Sequence, residues 1–75
     1  MIEARQPNKA TAKAARHITR LRKQAHLSQE ALARAAKVHV NSIRYLESGR
    51  IIAVRLDTLS KLADALGVRV ADLVQ

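Results

Sequence analysis

From residue 11 onward the apolar residues of this chain recur at intervals of three and four, and no stretch of useful length alternates apolar with polar. That spacing is the signature of helices with one buried face, and it excludes a sheet. Five helices are predicted, over about 11–25, 28–36, 40–48, 56–66 and 70–74. In the first, advancing about 100° per residue places Ala14, Leu21 and Ala25 within about 60° of Ile18, while Lys13, Arg16, Arg20 and Lys23 fall opposite. The fourth gathers Leu56, Leu59, Leu62, Ala63 and Leu66 on one face, and the fifth offers Val70, Leu73 and Val74.

The punctuation between helices fits this division. Ser28 is a good N-cap for the second helix, although Ala31 cannot complete a capping box. Leu27 before the cap is placed to pack on Leu32 as a hydrophobic staple. Ala33 and Ala36 are small enough for two helices to approach closely. Lys37-Val38-His39 breaks the pattern before the third helix. Gly49 and Gly67 suit the left-handed position that ends a helix. Residues 1–10, with Pro7, Asn8 and no apolar period, read as a flexible basic arm, leaving 11–75 as the folded domain.

Composition narrows the chemistry. Of 75 residues 48% are hydrophobic and one, Tyr45, is aromatic, so the core must be built from Ala, Leu, Ile and Val. A domain this small rarely encloses a catalytic pocket. With no cysteine it has neither disulfides nor thiolate zinc sites, which suits a reducing compartment. No apolar run approaches the roughly 20 residues that span a bilayer, and the N-terminus lacks a secretory signal. The expectation is a soluble, cytoplasmic protein.

The formal charge of +8 is unevenly spread. Residues 1–24 hold seven bases and one acid, residues 25–55 five and two, and residues 56–75 two and three. Charge serving solubility alone would not need such a gradient; a polyanionic partner would account for it. For the stripe on the first helix, an ordinary solvated face is an equal alternative.

Two charges sit on apolar faces. Arg22 lies about 40° from Ile18, and Glu47 about 40° from Ile43 on the third helix. An isolated buried charge costs several kcal/mol, so the economical solution is an Arg22–Glu47 ion pair joining the two helices. The outward face of the third helix then carries Asn41, Arg44, Tyr45 and Ser48. Asn can bind adenine bidentately, Arg can bind guanine, and Tyr can donate to phosphate or pack on a thymine methyl. An ordinary exposed face accounts for Ser48 well and for Tyr45 poorly.

These residues resemble the Cro/C1-type helix-turn-helix family, the phage-repressor-like DNA-binding domains. The resemblance rests on Leu27-Ser28-Gln29-Glu30, Leu32-Ala33, Val38, Ser42-Ile43 and Leu46-Glu47-Ser48-Gly49-Arg50. It continues through Leu56-Asp57-Thr58-Leu59, Leu62-Ala63, Ala65-Leu66-Gly67-Val68 and Asp72-Leu73, covering about residues 14–74. It implies an all-α, compact five-helix lambda-repressor-like domain with a central helix-turn-helix. The loop after the third helix is similar to a slightly longer, proline-free variant.

By that resemblance Gln29, at the start of the second helix, takes the place of a phosphate ligand aided by the helix N-terminus. His39 and Val40 begin the recognition helix. Val40, Asn41, Arg44 and Tyr45 match positions facing base edges or flanking phosphates. Arg50 matches a phosphate contact just past the helix, and Arg55 a weaker one to backbone or minor groove. Arg22 and Glu47 match an interhelical ion pair. The family's turn usually carries Gly where this chain has Lys37; a left-handed Lys costs about 1 kcal/mol more than Gly and adds a positive charge toward DNA. Arg69 stands where a Ser or Thr cap is common, so the last helix is expected to start raggedly.

The implied function is a sequence-specific regulator of transcription, a repressor, that binds double-stranded DNA. One recognition helix reads only about 4–6 base pairs, so two copies pair on a palindromic operator. Val68, Val70, Leu73 and Val74, in the near-neutral C-terminal third, are the interface candidates, with closure of the monomer core as the other reading. The alternative is an antitoxin or other protein-interaction module on the same fold, for which the basic arm is a short wrapping segment. A membrane role is disfavoured by the Ala-rich apolar face of the first helix. No enzyme is indicated: His17, His26 and His39 lack metal-ligand spacing, and no P-loop or nucleophile elbow occurs. No cofactor or small-molecule effector is expected.

Overall fold

A computed structural model describes residues 6–75. Five helices follow in order: α1 Lys9–Gln24, α2 Gln29–Ala36, α3 Val40–Glu47, α4 Leu56–Leu66 and α5 Val70–Val74. The described residues contain no strand. The start of α1 departs from expectation. Asn8 caps the helix, its side-chain oxygen accepting from the Thr11 backbone N–H at 2.8 Å, so Lys9 and Ala10 belong to the helix and not to the arm. Of the arm's charges, Arg5 lies outside the described residues.

Each helix places its small or branched apolar side chains in one shared core. Ala14 and Ile18 from α1, Leu32 from α2, Ile43 and Leu46 from α3, Leu62 from α4 and Leu73 from α5 are all but inaccessible. Ala33 and Ala36 are buried too, where α2 packs on α3 and α4. Leu27 packs against this core immediately before the Ser28 cap, whose Oγ accepts from the Ala31 N–H at 3.0 Å. The cap is the one read from the sequence, and Leu27 joins the core cluster to which Leu32 belongs.

The connections use left-handed residues. Gly49 and Gly67 have φ of 79° and 71°, the conformation that favours glycine. His26 and Lys37 adopt φ of 58° without that advantage. Lys37 closes α2 with its backbone N–H on the carbonyls of Ala33 and Arg34, so the turn between α2 and α3 keeps its shape.

Two contacts tie the α3–α4 loop to α1. The Asn8 N–H donates to the Ile52 carbonyl at 2.8 Å. The buried Thr11 hydroxyl accepts from the Val54 N–H at 3.0 Å. At the other end of the chain α5 packs on α1. Its start is ordered rather than ragged, because Asp72 accepts from the Arg69 N–H at 2.9 Å and pairs with the Arg69 guanidinium at 3.2 Å.

Candidate nucleic-acid interface

The geometry of the interface begins with the pair beneath it. Arg22 Nε donates to Glu47 Oε2 at 2.8 Å and Nη2 to Oε1 at 2.9 Å, a bidentate fork between α1 and α3. Arg22 Nη1 donates to the Leu27 carbonyl at 2.8 Å, so the same guanidinium also holds the turn into α2. Burial pushes the Glu47 carboxyl up, but hydrogen bonds from Arg22 and Gln29, with the Arg22 charge, outweigh it and hold the group below its ordinary value. The hydrogen bond to Glu47 likewise raises Arg22. The two charges on apolar faces therefore find each other.

On this base α2 and α3 form the helix-turn-helix. Gln29 is half-buried, and its Nε2 donates to Glu47 Oε1 at 3.0 Å. One amide hydrogen is thereby taken, and the other is open at the α2 N-terminus. His39 caps α3: its Nδ1 accepts from the Asn41 N–H at 3.1 Å. With Nδ1 accepting there, Nε2 is the ring nitrogen left to face outward.

The outward side chains of α3 are tied to one another. Arg44 Nη1 donates to Asn41 Oδ1 at 3.3 Å, and Arg44 Nη2 lies 3.7 Å from Glu30 on α2. Tyr45 is 42% exposed, and the Arg50 guanidinium lies over its ring at 5.5 Å from the centroid. Ser48 donates back to the Tyr45 carbonyl at 3.2 Å. Asn41, Arg44, Tyr45 and Arg50 thus share one face, with Lys37 exposed at its α2 end.

Three sequence expectations are revised in place. Val40 is half-buried against the core, so only part of its side chain is open to a base. Arg55 is highly exposed but pairs with Asp57 at 3.4 Å beside the α4 N-terminus. Leu73 is wholly buried in the core and has no surface for a second copy, because α1 covers the face of α5 that carries it. Two contributors escaped the sequence reading. Glu30 orients Arg44, and the Tyr45–Arg50 stack could have been read from their spacing across the helix end.

A tight two-helix turn with an exposed polar second helix, anchored from below by an ion pair, defines a helix-turn-helix DNA-binding domain. The comparisons agree. The chain belongs to the helix-turn-helix family of the Cro/C1 type, whose profile matches residues 18–73. Its members are DNA-binding regulators of transcription, and that class is this protein's. The crystal structure of a hypothetical transcription factor, NHTF from Neisseria, is similar over 100% of this chain and 87% of that one, with 27% identity and a TM-score of 0.81. No curated protein sequence matches. Among the described residues no helix is long and apolar enough to cross a membrane.

Proposed function

We propose that this protein represses transcription by binding, as a homodimer, to a palindromic DNA operator through α3. The observation that carries the reading is the outward face of α3. Asn41, Arg44 and Tyr45 stand there without an apolar neighbour of comparable exposure, beside Gln29 at one helix N-terminus and Arg50 past the other's end. Asn41 and Arg44 read bases in the major groove, while Gln29, His39, Lys37 and Arg50 hold phosphates and set the register. Repression follows from occupancy, since a domain of this size covers promoter DNA without a further activity.

Two-fold pairing supplies the length of sequence that one α3 lacks. With Leu73 excluded, Val68, Val70 and Val74 offer only half-buried edges. Leu56 at the start of α4 is 69% exposed, and Ile52 in the loop before it 40%. The second copy docks on that apolar surface. Selection of bound sequences from random duplexes, at 50 and 200 mM salt, tests the reading. A palindromic consensus supports it, and absence of enrichment overturns it in favour of a protein-interaction module.

A further inference from the structure

α1 carries a second charged surface that the reading face does not use. Because the helix begins at Lys9, its exposed cations are Lys9, Lys13, Arg16, Arg20 and Lys23, separated by four, three, four and three residues. At about 100° per residue all five fall within an arc of about 80° centred opposite Ile18, the buried midpoint of the helix. At 1.5 Å rise per residue they form a straight row about 21 Å long. α1 has no acidic residue. Arg22, Arg44, Arg55 and Arg69 each have an acidic partner, whereas among the described residues no ion pair involves any of the five, as none involves Arg34, Lys37, Arg50 or Lys61, although the charge of Lys23 also acts on Glu47.

This row is not economical as a solvated face. Like charges three and four apart on a helix repel and weaken it, and interspersed acids would give the same solubility without that cost. It also lacks what a protein or a membrane would need. Its exposed residues include no aromatic or large apolar side chain to anchor a protein partner or enter a lipid interface. Charge alone, in a line, suits a phosphate backbone, whose recognition is electrostatic and independent of sequence. The row lies on the side of α1 opposite buried Ile18, and the reading face on the side of α3 opposite buried Ile43, so the two surfaces share no residue.

We propose that the outer face of α1 is a second DNA-binding surface, which holds the phosphate backbone of another duplex segment while α3 reads the operator. The protein thereby joins two stretches of DNA. The inference rests on the reading of α3 as the operator-binding face, and the test separates the two.

The full chain is loaded on a bead-bound duplex carrying its selected sequence, and capture of a labelled random-sequence duplex is measured from 50 to 200 mM salt. The variant K9Q/K13Q/R16Q/K23Q keeps helix-forming residues and leaves Arg20, which donates to His17 at 2.8 Å, in place. It is expected to hold the bead-bound duplex as the parent does, with its melting temperature and circular dichroism retained, and to lose capture about tenfold or more. Equal capture by variant and parent, or no capture by the parent, overturns the proposal. So does binding of the row to phosphatidylserine vesicles without duplex capture. Failure of the parent to select any sequence would instead strike the reading of α3.

Discussion

Arg22 and Glu47 keep only 12% and 9% of their side-chain surface in contact with solvent, so removing either strands the other. Arg22→Ala or Glu47→Ala should cost about 3 kcal/mol, read by denaturant melting. The pH dependence has a definite sign. Glu47 holds its proton less tightly folded than unfolded, so its contribution is complete above the ordinary value of 4.5 and is lost as pH falls through the lower folded value. Glu47→Gln should flatten that acid limb of stability. At the reading face, Asn41 Oδ1 accepts from Arg44, so the orientation of the carboxamide offered to adenine depends on Arg44. Asn41→Ala and Arg44→Ala should therefore be non-additive in operator affinity, with a coupling of about 0.5–3 kcal/mol in a double-mutant cycle. Additive losses would show that the contact plays no part in binding.

At the scale of the element, Lys37 holds a left-handed backbone that glycine would hold without penalty. Lys37→Gly should stabilise the fold by about 1 kcal/mol, raising the melting temperature by roughly 4–8 °C, while removing a cation from the DNA side. Thr11→Val should have the opposite effect, leaving the Val54 N–H without an acceptor at a cost of about 1–3 kcal/mol. The helices themselves were legible because their stops are local: Ser28, Gly49 and Gly67 sit at the boundaries, and only the start of α1 moved by two residues. That shift had a sequence signal, since Asn8 is a good N-cap, but Pro7 beside it reads equally well as arm. The Thr11–Val54 bond joins residues 43 apart and depends on the path of a loop, which periodicity does not encode. Leu73 was misplaced for a related reason. Apolar spacing in a five-residue helix shows which face is oily, not whether α1 or a second copy covers it. Arg22–Glu47 was legible because a charge on an apolar face demands a partner wherever it lies.

At the scale of the whole molecule, base discrimination belongs in the proposed reading to α3 and operator phosphates to the cations around it, with the α1 row left for a second duplex. Affinity for any duplex should fall steeply between 50 and 200 mM salt, with a slope of about 0.9 per phosphate neutralised. If the proposed pairing through Leu56 holds, Leu56→Asp should leave a monomer in sedimentation where the parent sediments as a dimer, without unfolding it, since Leu56 lies outside the core. The central claim is that the outward face of α3 reads bases while the residues around it hold phosphates. It is tested most directly by measuring Asn41→Ala, Arg44→Ala and Arg50→Ala against the selected operator and a set of its single-base variants. Asn41→Ala and Arg44→Ala should each lose about 1–3 kcal/mol on the operator and stop discriminating at one position, whereas Arg50→Ala should weaken every sequence alike. Identical behaviour of all three would contradict the account.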